Sequence, residues 1–420
     1  MASFISAFKS QGLQKKLWFT LGLVFVYRLG THIPLAGVDL SLISQTFSSS
    51  GILSFFNLFS GGALSRFSVF ALGILPYINA SIIMQLLSVV SPSLKELNEE
   101  GDYGRKKVAQ YTRYLTIVLA FFQAIVMSVG FRNFVNPDIP FALFLTYSVI
   151  ALVAGVALVL WISELITEYG IGNGASVLIF IGIVAQMPNY VHQTYVLVQG
   201  GTSILNVLML VLIFMVLLVG IVYVQEAYRK IPVEYVKRAT ARGAVSQKSS
   251  YIPLKLIQSG VMPIIFASAV MQFPLMIFQY VHVEAISNFM ALHYRYDSVF
   301  YNVVLCLLIF FFAYFYTAIT FNPEELSDNI KKHGGFIMGI RPGKPTVEFL
   351  DKTITSLTLF GAVFLSVISL IPMAGASLTG VTSFVGLGGT ALLIMVGVAM
   401  DLLRQIQSYV ISSKYEGLLR

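Results

Sequence analysis

Residues 204–226 read ILNVLMLVLIFMVLLVGIVYVQE. No charge interrupts the run before Glu226, and no alternation of apolar and polar positions marks a strand. About 20 apolar residues in a helix cross the hydrocarbon core of a bilayer. In lipid each unpaired backbone group costs several kcal/mol, so only helices and closed barrels can span it. The stretch is therefore read as a membrane-spanning α-helix. Working outward, further runs of the same kind lie at about 17–36, 73–92, 114–134, 141–163, 174–196, 256–281, 298–320, 353–373 and 387–408. The expectation is an all-α integral membrane protein with ten transmembrane helices.

Composition agrees. Of 420 residues 57% are hydrophobic and 11% charged, whereas soluble domains average roughly a quarter charged. Cys306 is the single cysteine, so no disulfide framework, cysteine metal site or redox pair can form. A net charge of +8 admits nucleic-acid binding, but in a membrane protein inside loops enriched in Lys and Arg are the favoured explanation. With the N-terminus inside, ten crossings place Arg66, Arg132 and Arg295 outside, Arg28 within the first span, and the remaining Lys and Arg inside or near an inner span end. That asymmetry is the positive-inside pattern and puts both termini on the cytoplasmic or stromal side. Met1 to Lys16 does not read as a cleavable leader or a transit peptide. The expectation is a chain made in the compartment where it works.

Two features depart from a plain bundle. Residues 51–70, GILSFFNLFSGGALSRFSVF, are apolar at first, then broken by Gly61-Gly62 and charged at Arg66. The segment is too short to cross and is read as folding back into protein, where irregular backbone at membrane depth is tolerated. The polar linker Gln199 to Ser203 divides the spans five and five, giving halves at 1–196 and 204–420. An odd number of spans per half sets the two in opposite orientations, as in inverted repeats.

The chemistry is sparse. His32, His192, His282, His293 and His333 fall in loops or at span ends, and HExxH, GxSxG and Walker motifs are absent. Gly170 to Gly174, GIGNG, lacks the Lys-Ser/Thr of a phosphate loop and is read as a tight turn. No enzyme, cofactor or metal is expected. Glu164, Glu168 and Glu226 sit at inner span ends, and Asp401 is close enough to pair with Arg404. Arg28 lies roughly 16 Å into its span at 1.5 Å per residue, and is expected to bond carbonyls of neighbouring helices. A passive channel, a small-solute transporter with a five-plus-five repeat and a membrane scaffold all fit these observations.

Motifs choose among them. Phe56 to Ser65, FNLFSGGALS, and Ala71 to Ile83, ALGILPYINASII, resemble the SecY family, the channel subunit of the Sec protein translocon. Tyr27 to Pro34 (YRLGTHIP), Gln110 to Tyr114 (QYTRY), Thr167 to Gly174 (TEYGIGNG), Gly260 to Ser268 (GVMPIIFAS), Gly339 to Gly343 (GIRPG) and Gly389 to Ile394 (GTALLI) follow in family order. The resemblance implies two five-helix halves that open like a clamshell around an hourglass pore. It implies a plug at about 52–66, with Ile52, Phe55, Phe56, Phe59, Gly61 and Gly62, and a pore ring of Ile74, Ile78, Ile179, Ile183, Ile265 and Ile394. The first two isoleucine pairs are spaced i, i+4 and share a helix face. Branched alkyl groups resist wetting and so limit ion leak.

Asn79 and Phe273 match lateral-gate positions between the second and third spans and the seventh and eighth. Asn79 departs from the small hydroxyl residue often found there, with an effect on gating whose direction the residue type alone does not give. Large inside loops at about 226–255 and 321–351 are implied to dock a SecA motor and the ribosome, through Lys237, Arg238, Arg242, Arg341 and Lys344. Further implied partners are SecE and SecG-type subunits, unfolded precursors with signal sequences, and membrane lipids. The block Leu72 to Ile83 resembles cyanobacterial and plastid members, while Arg229 to Pro232 and the C-terminal end look bacterial. The bacterial plasma membrane is the expected location, the plastid thylakoid the alternative.

Overall fold

Each expected span coincides with a helix, because a chain in lipid must satisfy its backbone internally. A computed structural model of the chain describes residues 11–40, 43, 57, 59–235, 250–278, 293–294, 298–381 and 388–418. The first half contains α1 (Gln11–Gly30), α2 (Leu75–Val90), α3 (Pro92–Glu99), α4 (Asp102–Gly130), α5 (Phe141–Tyr169) and α6 (Gly174–Gln199). The second contains α7 (Ile204–Glu226), α8 (Met262–Phe278), α9 (Val299–Thr320), α10 (Pro323–Lys332), α11 (Lys344–Thr379) and α12 (Gly388–Leu418).

Among the described residues, seven of these helices are long and apolar enough to cross a membrane. An eighth candidate is α2 with α3, bent by 105° at Ser91, where Pro92 opens the second piece. The other two expected spans meet α1, which carries Lys15, Lys16 and Arg28, and α8. The latter begins only at Met262, because a strand and a turn occupy the residues before it. Helices α4 and α11 start at Asp102 and Lys344, ahead of their apolar runs.

Helix packing repeats between the halves. In the first, α1 packs on α5 and α6, and α2, α4, α5 and α6 pack in succession. In the second, α7 packs on α11 and α12, and α8, α9, α11 and α12 pack in succession. The halves meet where α2 touches α8 and where α12 touches α6. The GIGNG turn is tight, as expected: Asn173 caps α6 by accepting from the Ala175 and Ser176 amides. A Cβ on Gly174 would lie 1.8 Å from the Ser163 carbonyl oxygen.

The two inside loops are not separate connections. Strand β1 (Tyr228–Tyr235) pairs antiparallel with β2 (Ser250–Lys255) from its own loop and with β3 (Gly335–Ile337) from the other. The register sets Ile231 opposite Ile252 and Val233 opposite Ile337. Ile231, Val233 and Leu254 form an apolar cluster with Ile330 of α10 and with Leu350 and Ile354 of α11. The alternation Lys230-Ile231-Pro232-Val233 carries the strand signal that a purely helical reading passes over.

Candidate pore and plug

The site begins with α2. Ile74 is its N-cap residue, and the Ile78 amide donates to the Ile74 carbonyl at 3.1 Å. Both side chains face inward, at 2% and 6% exposure. Ile179 and Ile183 repeat the spacing on α6, Ile265 lies in the first turn of α8, and Ile394 lies on α12. All six are buried and belong to one apolar cluster. Four helices, two from each half, therefore bring the six together, although residues as far apart as Ile74 and Ile394 share no sequence neighbourhood.

The re-entrant segment sits on this cluster. Phe59 and Ala63 are buried in it with the isoleucines. Asn57 organises the segment: its carbonyl accepts from the Gly62 amide at 2.8 Å and its Oδ1 from the Ser65 amide at 2.9 Å. A 3-10 turn at Leu64–Arg66 follows. Gly61 and Gly62 adopt φ of +66° and +89°, left-handed values natural to glycine. They also permit close approach to α6. A Cβ on Gly61 would lie 3.1 Å from Gly182 Cα, and one on Gly62 would lie 2.3 Å from Gln186 Nε2. Ile52, Phe55 and Phe56 lie outside the described residues.

Arg28 corrects an expectation. Its Nη1 donates to the Gly61 carbonyl at 2.8 Å, so its partner is the re-entrant segment and not a neighbouring helix. The physical reason is the backbone reversal at Gly61-Gly62, which leaves a carbonyl outside any helical ladder and free to accept. Arg404 pairs with Asp401 at 3.7 Å, as expected from their spacing, and Arg113 of α4 pairs with Glu164 of α5, a contact that sequence spacing did not announce.

Asn79 of α2 is 4% exposed, and its Oδ1 accepts no hydrogen bond among the described residues. Phe273 lies on α8, the helix against which α2 packs; its side chain lies outside the described residues. Arg341 and Lys344 are exposed beside the sheet, with the Arg341 carbonyl accepting from Thr346 Oγ1 at 2.9 Å. Lys237, Arg238 and Arg242 lie outside the described residues.

Together these features define a multi-pass helical membrane protein of two matched halves about a closed apolar centre. Comparison with known proteins carries the assignment further. The SecY family profile matches residues 68–403. A relative named protein translocase subunit SecY from Synechocystis sp. is 44% identical over 429 aligned residues, covering 100% of this chain and 97% of the relative. One of the same name from Guillardia theta is 44% identical and covers 100% of both chains. Among solved structures, one described as a protein conducting channel superposes with a TM-score of 0.67 at 19% identity, covering 95% of this chain and 93% of that one. Sec61 in the canine ribosome-channel complex superposes with a TM-score of 0.64 at 18% identity, with the same coverage. The chain belongs to the SecY family of protein translocase subunits.

Proposed function

We propose that the chain is the channel subunit of a protein translocase, which passes unfolded polypeptides across a membrane and releases hydrophobic segments sideways into lipid. The observation that carries this reading is the burial of six isoleucines from both halves in one apolar cluster with Phe59 and Ala63 of the re-entrant segment. A collar of alkyl side chains offers a translocating chain no hydrogen bonds to linger on, and it dewets when empty. The segment around Gly61-Gly62 acts as the plug above it. Halves 1–196 and 204–420 move as the two jaws. The lateral gate opens between α2 and α4 on one side and α8 and α9 on the other.

The chain supplies the path, and a SecA-type motor or a ribosome supplies the drive. The exposed inner face supports docking, with Arg341 and Lys344 beside the sheet and Lys237, Arg238 and Arg242 in the β1–β2 connection; basic groups meet ribosomal RNA phosphates by charge. SecE and SecG-type subunits complete the complex. Relatives from bacteria and a plastid fit a bacterial plasma membrane or a thylakoid, with both termini on the cytoplasmic or stromal side as the Lys and Arg distribution favours.

The test is site-specific crosslinking of a stalled precursor. A photoreactive group at Ile78, Ile183 or Ile265 should capture the precursor only while it is threaded. Capture at lipid-facing Leu212 instead, with none at the ring, would overturn the reading.

A further inference from the structure

A guanidinium and a backbone carbonyl are the parts of a latch. Arg28 stands in the last turn of α1, half-buried, with no ion pair to any carboxylate among the described residues. Among the described residues its one hydrogen-bond acceptor is the Gly61 carbonyl, 2.8 Å from Nη1. The end of α1 is braced around it, since the Arg28 carbonyl accepts from Thr31 Oγ1 at 2.7 Å and lies 2.8 Å from His32 Nδ1. A little further on, the chain grips the far end of the re-entrant segment. The Val69 amide donates to the Ile33 carbonyl, the Leu35 amide to the Phe67 carbonyl, and Pro34 bridges Ser68. The segment is thus fastened by backbone pairing at residues 67–69 and by one guanidinium at Gly61.

The two fastenings differ in kind. The backbone pairs join stretches that flank membrane helices and belong to the frame. The Gly61 bond is made by a side chain to a glycine whose φ of +66° leaves no helical ladder behind it. It can break without unravelling secondary structure. Across from Arg28, Gly61 rests on Gly182 of α6, one residue from ring residue Ile183. A charge on one wall and a glycine on the other therefore pinch the segment directly above the collar.

We propose that Arg28 is the positioning residue that latches the plug shut. The inference rests on the channel reading above. In the closed channel the guanidinium spends its charge on the Gly61 carbonyl; a precursor that displaces the segment breaks that bond. The freed cation then faces the emptied funnel, where it favours anions over cations until the plug returns.

The experiment uses the reconstituted translocase in planar bilayers without precursor. It compares wild type, Arg28→Met, Arg28→Gln and a deletion of residues 57–66, with each substitution also combined with the deletion. A hydrogen bond to a charged group is strong enough that Arg28→Met should raise the resting open probability by about 10- to 100-fold. Arg28→Gln, which keeps a neutral donor, should raise it less. In the deletion background Arg28→Met should add nothing to the open probability, yet should lower the anion-to-cation permeability ratio. A merely structural arginine would do neither. No rise in the intact channel, or an equal rise with the segment deleted, overturns the latch. If deleting the segment alone leaves the resting current unchanged, the plug reading itself fails, which is a separate outcome. Should Arg28→Met fail to assemble, the Arg28→Gln pair decides by the same two comparisons.

Discussion

Replacing Asn79 tests how the seam between the halves is held. Asn79 lies on α2, is 4% exposed, and presents an Oδ1 that accepts no hydrogen bond among the described residues. A buried acceptor left unmatched costs roughly 1–3 kcal/mol. The closed seam carries that cost; an open seam lets water or a passing segment relieve it. If α2 and α8 part as the proposed gate, Asn79 is expected to lower the threshold for opening. Asn79→Leu removes the unmatched group and should favour the closed gate by about 1–3 kcal/mol, which at 1.4 kcal/mol per decade is about a 5- to 150-fold drop in the open population. A signal segment gains up to about 0.6 kcal/mol per leucine on entering lipid. Export should then need roughly two to five more leucines. The same direction is expected for Asn79→Ser. A serine hydroxyl on a helix bonds the carbonyl four residues back, as Ser88 does to Met84 and Thr116 to Thr112 in this chain. Export of reporters with graded signal hydrophobicity measures the threshold. If both variants leave it unchanged or lower it, the unmatched acceptor does not bias the gate.

Three further outcomes are expected. Replacing Ile74, Ile78 and Ile265 together by glycine should raise ion leak in reconstituted vesicles, since the alkyl collar loses three of its members, and an unchanged leak counts against the ring. Leu350→Ala opens a cavity under the inner sheet, where Leu350 is fully buried. A loss of about 2–5 kcal/mol should make the β1–β2 region readily cleaved by added protease while the spans stay intact. Gly174→Ala should prevent close packing of the α5–α6 turn, because its Cβ would lie 1.8 Å from the Ser163 carbonyl oxygen; thermal aggregation in detergent should begin at a lower temperature than for the neighbouring control Ala175→Ser.

Much of the frame was legible in one dimension. Whether a run of residues partitions into lipid depends on its own side chains, so α5 and α7 announce themselves without any partner. Sidedness is likewise additive over loop charges. The helix ends were less legible, since α4 and α11 begin at Asp102 and Lys344, ahead of their apolar runs, where nothing apolar marks their start. The inner sheet escaped a helical reading because β1 finds its second partner, β3, in the other large loop, with the three described helices α8, α9 and α10 between them in the chain. Only that pairing buries Ile231 and Val233 together. The isoleucine spacings on α2 and α6 were visible, but an isoleucine face on a membrane helix looks the same whether it meets lipid or a pore.

Sequence alone determined that this chain is built of membrane-spanning helices and which family it resembles, because these depend on local transfer energies and on motifs read in order. Tertiary structure alone decided that six isoleucines from four helices converge, that Arg28 reaches Gly61, and that Asn79 is buried with an acceptor unmatched. Each of those depends on which faces of distant helices come into contact, and packing geometry of that kind is settled only when the whole bundle closes.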